Sequence, residues 1–209
     1  MYAPSHFEET RLAALHALIE AHPLGTLVTH VTNVTNGAAG LEADHIPFEI
    51  AAPTPGAPFG TLRAHVARAN PLWRQAGAGV LVVFQGPSAY VSPQLYLEKP
   101  VSGKVVPTYD YAVVHAHGVL RAVEDPAWLL ALLERLTLRH EAGRDAPWAV
   151  RDAPPAFIDT LLAAIVGIEV PIARLQGKWK LSQNRPRADQ AAVAADCPQL
   201  APMMNAAPM

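Results

Sequence analysis

The feature that most constrains the fold is a change of hydrophobic period at Pro23 that is not reversed until Asp125. Before it, "SHFEETRLAALHALIEAHPLG" places Leu12, Leu15 and Leu18/Ile19 on one helical face, and Ser5 three residues ahead of Glu8 reads as a capping box. After it come strand-like runs in succession: "LGTLVTHV", "GLEADHIPFEIA", "GTLRAHV", "GVLVVFQG" continued by "SAYVS", and "KVVPTYDYAVVHAHGVLRAV" broken near Pro107. Asn36-Gly37 between the first two is a hairpin signal, "APTPGAP" is a loop, and "ARANPLWRQ" is a turn or short helix. Strands that follow one another without intervening helices pair antiparallel, because a parallel pair needs a crossover of a dozen or more residues.

Only then does the helical period return. Asp125 caps "PAWLLALLERLTLRHEAG", giving a helix over 126–142, and "PPAFIDTLLAAIVG" gives a second over 154–166, opened by prolines and closed at Gly167. A closing strand, "IEVPIARLQGKWKL", follows. The order predicts an α+β architecture, a small, mostly antiparallel barrel with flanking helices at one side, and disfavours a parallel dinucleotide fold. Residues 1–185 form one domain on this reading, and 186–209 have the Pro/Ala-rich composition of a flexible tail.

Composition bears on the surface. Hydrophobic residues make up 51% and charged residues only 16%, against about 25% charged in an ordinary soluble chain. Too little charge is left to cover a large free surface, so burial between subunits is expected. The formal charge of -2 gives no support to a general polyanion binder. The single Cys197 excludes an internal disulfide framework and a cysteine zinc site, and reads as inert. "MYAPSHFEETR" has neither the basic nor the apolar region of a signal peptide, and no apolar run approaches bilayer length, so a cytoplasmic protein is expected.

Several catalytic signatures are missing. No G-x-G-x-x-G follows a strand, Lys104 in "KPVSGKVV" lacks the frame of a phosphate-cradling loop, Ser88 lacks G-x-S-x-G, and His140-Glu141 lacks a second histidine one turn on. His115 and His117 in "VVHAHG" leave one face of a strand, which suits a metal or haem ligand pair; packing at a barrel wall or interface is the favoured reading. "HVARANP" suits an anion site: His65 and Arg68 place donors on one side of a turn, Arg68 offers a planar fork, and Asn70 can bond the backbone before Pro71. Further donors and flat rings lie at Ser92, Tyr96, Lys99, Thr108, Tyr109 and Tyr111, and at Lys178, Trp179, Lys180, Ser182, Gln183, Asn184 and Arg185. A ligand with an aromatic ring system and a phosphate tail uses both kinds of group.

The elements "MYAPSHF", "HPLGTLVT", "DHIPFEI", "LRAHVARANPLW", "VLVVFQGPSAYVSP", "VPTYDYAVVHAHG" and "FIDTLLAAIVGIEVPIARLQGKWKLSQNR" stand in this order over about residues 1–185. In that order the chain resembles the PaiB-like FMN-binding negative transcriptional regulators, which share a split β-barrel with the pyridoxamine-phosphate-oxidase-like flavoproteins. The resemblance implies an FMN-binding split barrel and a homodimer with flavin sites at the subunit interface. It places His65, Arg68 and Asn70 on the phosphate side, with Ser92, Tyr96, Lys99, Thr108, Lys180 and Gln183 as further cofactor-binding candidates. Two departures stand out: Gln94-Leu95 where the family usually has Ser-Trp, and Tyr109-Asp110 where it has Trp-Asn.

The family label implies a repressor that binds DNA and senses a flavin or metabolite. The residues show no helix-turn-helix pattern; the best local patch is Lys178, Lys180, Arg185 and Arg187, and if Lys180 and Gln183 face the ligand, DNA binding by the protein alone is weak. The enzyme alternative is a flavin reductase or oxidase, for which no general acid or base is identifiable. A haem- or metal-binding barrel using His115 and His117 is the distant third.

Overall fold

A computed structural model describes residues 1–31 and 40–206. Along the chain lie β1 (Glu8–Glu9), α1 (Leu12–Ala21), β2 (Leu24–Val31), β3 (Gly40–Pro47), β4 (Glu49–Ala51), β5 (Thr61–Ala67), β6 (Gly79–Val91), α2 (Lys99–Ser102), β7 (Thr108–Val119), β8 (Arg121–Val123), α3 (Pro126–Glu141), α4 (Pro155–Ala163), β9 (Ile165–Lys180), α5 (Arg187–Asp196) and α6 (Ala201–Ala206). The hydrogen-bonded strand order is β3-β2-β6-β7-β9-β5-β4, an open path, with β1 and β8 also paired to β9. β2 with β3, β4 with β5, and β9 with β1, β5 and β8 are antiparallel. This is the antiparallel α+β class that the succession of strand runs required. The Asn36-Gly37 turn lies outside the described residues.

The chain divides into two compact units, one of residues 1–22, 83–115 and 175–209, the other of 23–82 and 116–174. In the second, β5 pairs with β9 from Thr61↔Pro171 to Ala67↔Ile165. Alternate residues Leu62, Ala64 and Val66 of β5, and Val166, Ile168, Val170 and Ile172 of β9, are buried, the period-two pattern of a half-buried strand. α3 is tied down by a bidentate pair from Arg135 to Glu49 of β4 (2.7 and 2.8 Å) and buries Leu129 and Leu132. A Cβ at Gly167 would stand 2.4 Å from Trp128, so only glycine lets α3 lie this close to β9. Asp125 accepts from the Ala127 amide at 2.9 Å, the expected cap.

The first unit departs from the sequence expectations at three points. Ser5 does not cap α1: Ser5–Phe7 is a single tight turn, Glu8 and Glu9 pair with Lys178 and Gly177, and it is the Glu9 carboxylate that accepts from the Arg11 amide, at 2.8 Å, where the helix begins. The long strand starts at Thr108, after Pro107, and runs unbroken to Val119. Arg187–Asp196 and Ala201–Ala206 are helices where composition suggested a flexible tail, with Val193, Cys197 and Leu200 buried and Val193 packed on Val91 and Tyr96. Alanine-rich helix propensity and apolar spacings of four and three outweigh the low-complexity look of the segment. In the second unit α4 ends at Ala163, because "IVGIEVPI" is claimed by β9 and its β-branched residues enter the sheet.

Candidate functional site

β5 delivers His65 and the turn after it delivers Arg68 and Asn70, all within the second unit. The backbone there is held at both ends: the Arg68 amide donates to Ala164 O (2.8 Å), and Asn70 accepts from the Leu72 amide (2.8 Å) ahead of Pro71 while its amide donates to Asp44 (2.8 Å). Asn70 thus fixes the turn as the sequence indicated, and its hydrogen-bonding atoms are engaged. The Arg68 guanidinium donates through Nε to Ala163 O (2.9 Å), through Nη2 to Ile165 O (3.2 Å) and through Nη1 to Glu124 Oε2 (2.7 Å), and stands 5.9 Å from the Trp73 ring centre. Two carbonyls at the α4–β9 junction orient the fork. The third partner is a carboxylate whose side chain is 56% exposed, opposite an arginine 41% exposed. His65, in register with Gly167, is half-buried, and burial pushes its pKa below the ordinary imidazole value. A neutral imidazole and a pre-oriented guanidinium are the donor set that suits a phosphate.

The remaining candidates fall in the first unit. Lys180 donates to Thr108 Oγ1 and to Tyr109 O, and its ammonium lies 3.5 Å from Asp110 Oδ1. Asp110 is 1% exposed and accepts from Ser182 Oγ at 2.5 Å. Burial pushes the Asp110 carboxyl up, against the Ser182 hydrogen bond and the Lys180 charge that pull it down. Ser182 holds φ at 60°, the left-handed region that non-glycine residues rarely adopt. Gln183 accepts from the Leu181 amide (2.7 Å) and donates to Trp179 O (2.5 Å), Ser92 caps the turn Pro93–Leu95, and Lys99 donates to Gln94. Tyr96 is buried under Arg185, whose guanidinium carbon is 4.3 Å from the ring centre. The Tyr96 hydroxyl makes no hydrogen bond of regular geometry, although Ser182 and Arg185 are near enough to act on it.

The structure therefore gathers Thr108 and Lys180 about a buried carboxylate in the first unit; in the second, Arg68 and Asn70 stand in a fixed turn at the end of β5, the strand that carries His65. Asp110 was absent from the sequence-derived set. Its signal was there to be read: it shares the strand face of Ala112 and Val114, both buried, so a charged residue stands in line with a core stripe. His115 and His117 do leave the same half-buried face of β7; Arg174 Nη2 lies 3.0–3.1 Å from the ring nitrogens of His117 and donates to the imidazole. Among the described residues no three His, Cys, Asp or Glu converge as a metal site. None of the described helices is long and apolar enough to cross a membrane.

Residues 1–174 match the family model described as "Putative FMN-binding domain". A protein of Bacillus subtilis named protease synthase and sporulation protein PAI 2 is 31% identical over 194 residues, covering 90% of this chain and 85% of its own. An uncharacterized protein of Emericella nidulans is 35% identical over 221 residues, covering 91% of this chain and 87% of its own. Among solved structures, the FAD and heme binding protein of Mycobacterium smegmatis superposes with a TM-score of 0.59 at 20% identity over 88% of this chain and 79% of that one. The flavocytochrome Anf3 of Azotobacter vinelandii superposes at 0.54 and 13% identity over 83% and 69%. At these identities the likeness is one of fold, the split barrel.

Proposed function

This chain belongs to the FMN-binding, PaiB-like split-barrel family, and from that premise we propose that it is a homodimeric FMN-binding protein acting as a flavin-responsive negative regulator of transcription. The observation that carries the flavin part is the setting of Arg68. Two main-chain carbonyls hold its fork in place and leave the exchangeable position to Glu124, an exposed carboxylate that a phosphate dianion can replace. His65 stands two residues before the strand end, where burial lowers its imidazole pKa, and its ring N–H can donate a hydrogen bond to a phosphate oxygen. Asn70 positions the turn and is not assigned a direct contact. FMN, when bound, supplies a ring that accepts and returns electrons; the residues here bind and orient it and name no general acid or base for a substrate.

Two further observations support the reading. Tyr90, Leu97, Val101, Val106 and Tyr109 are large apolar side chains left more than half exposed in one unit, with the Tyr90 and Tyr109 rings edge to face at 6.0 Å, a surface suited to a second copy of the chain. Three of the four cations considered for DNA are committed within the protein: Lys180 to Asp110, Arg185 over Tyr96, and Lys178 to Tyr2 O and the rings of Tyr2 and Tyr111. Direct contact with DNA by this protein alone is accordingly weak, and the regulatory output is read as a flavin-dependent association.

The test is a set of three measurements on one preparation. Absorption after titration with FMN should show saturable binding at one flavin per chain, and sedimentation should give a dimer at low micromolar concentration. Absence of FMN binding would remove the reading altogether, and a monomer would remove its dimeric part. Tight, sequence-selective DNA binding, with a logarithmic salt slope steeper than about -5, would restore a direct repressor.

A further inference from the structure

Beyond the flavin reading, and without resting on it, one cavity of the first unit has no assigned role. A cleft of about 480 Å³ is walled by α1 on one side and by the chain around α6 on the other. Its wall on α1 and the residues that flank it consists of Arg11, Ala14, Ala17, Leu18, Ala21 and His22; Pro87, Trp179, Gln199, Pro202 and Met203 complete the lining. The space exists for a local reason. α1 is drawn down onto β9, where a Cβ at Gly177 would stand 2.2 Å from Leu15 Cδ2 and 2.9 Å from Trp179, while its flank carries alanines that reach no further than one carbon. The opposite wall is the segment that composition had marked as a tail.

The volume lies within the range of about 300–1,000 Å³ typical of small-molecule sites, which are mostly apolar with a few polar groups to fix orientation. The charge at the cleft decides the class of occupant. Arg11 is the one arginine, lysine or carboxylate in the lining, and it is already neutralised: Glu9 takes its Nε at 2.9 Å and its Nη2 at 2.5 Å. Burial alone would push the Glu9 carboxyl up, but its bonds to Arg11 together outweigh that and leave it below the ordinary carboxylate value, so the pair stays ionised and jointly neutral. A charged ligand would lose its hydration and gain no net counter-charge. An uncharged one loses little and covers alanine, leucine, proline, tryptophan and methionine surface.

We propose that this cleft is a binding site for an uncharged, largely apolar small molecule, lying along a wall formed by the ten-residue helix α1, about 15 Å in length. It shares no residue with the nine cofactor-binding candidates, so it gives the protein a second ligand. An effector of this class would act on the helices of residues 187–206 through Met203 and Pro202.

The probe is N-phenyl-1-naphthylamine, an uncharged dye that brightens in apolar surroundings, added to the full chain with and without FMN. Saturable binding at one dye per chain is expected. Ala17→Phe, which places a ring in the cleft from an exposed helix position, should weaken it by about tenfold or more, and so should Met203→Lys, which brings a charge to the opposite wall. FMN affinity should be the same in all three proteins, which separates failure of this site from failure of the flavin reading. No saturable binding, equal binding by both variants, or stoichiometric displacement of the dye by FMN would each overturn the proposal.

Discussion

Replacing Arg68 with alanine is the sharpest test of how the phosphate is held, because the structure says what is lost on each side of the balance. In the free protein Nη1 pairs with Glu124 at 2.7 Å, both side chains being around half exposed, and such a surface pair is worth about 0.2–1 kcal/mol. A charge-assisted hydrogen bond to phosphate is worth about 1.5–3 kcal/mol. Displacing Glu124 leaves a net gain of about 0.5–2.8 kcal/mol, so R68A should weaken FMN about 2- to 100-fold. Riboflavin, which has no phosphate, should bind the two proteins alike. Glu124→Gln removes the competitor and should strengthen FMN by about 1.4- to 5-fold, again without effect on riboflavin. The assay is flavin fluorescence quenching with both ligands on all three proteins, with a melt to record the loss of the bonds to Ala163 O and Ile165 O. Equal losses of FMN and riboflavin in R68A, or an unchanged FMN affinity in E124Q, would refute the reasoning and leave Arg68 as a clamp of the α4–β9 junction.

Other outcomes follow from the same geometry. His65 has a folded-state pKa below its ordinary 6.5, so the unfolded chain binds the extra proton; stability is full above about pH 6.5 and is lost as pH falls through the lowered value, and His65→Gln should flatten that part of a urea-denaturation profile. Asp110 has the opposite sign: its raised pKa means the native state holds the proton more tightly, so that contribution is present below 3.8 and lost as pH rises through the raised value. Asp110→Ala, which leaves Ser182 Oγ without its acceptor and removes the counter-charge of Lys180, should cost about 1.5–3 kcal/mol at neutral pH by chemical denaturation. Deleting residues 187–209 exposes the surface that Val193 and Leu200 cover and should lower stability by about 3–6 kcal/mol, where a truly unpacked tail would give no change. With Lys178, Lys180 and Arg185 committed internally, residual DNA binding should show a logarithmic salt slope no steeper than about -0.9, the value for one phosphate contact.

The succession of period-two runs between Pro23 and Asp125 was enough to specify antiparallel strands, and the local chemistry of Asp125, Asn70 and Pro71 was enough to place a cap and a turn, because those features depend on residues within one or two positions of each other. Arg68 was legible as a phosphate-type donor for the same reason. What it is held by was not: Ala163, Ile165 and Glu124 lie 95, 97 and 56 residues away, and only the pairing of both β5 and β8 with β9 brings them together. The same holds for Asp110, whose partners Lys180 and Ser182 are supplied by the end of the closing strand, and for the first turn of α1, where a carboxylate fixed by an edge strand displaced the serine that local spacing favoured. The segment after residue 186 shows the limit most plainly. Alanines and prolines carry no local instruction to pack, and Val193 and Met204 are too few to signal a buried face until Val91 and Tyr96, about a hundred residues earlier, provide the surface they cover. Burial is a property of pairs of surfaces, and a sequence displays only one of each pair at a time.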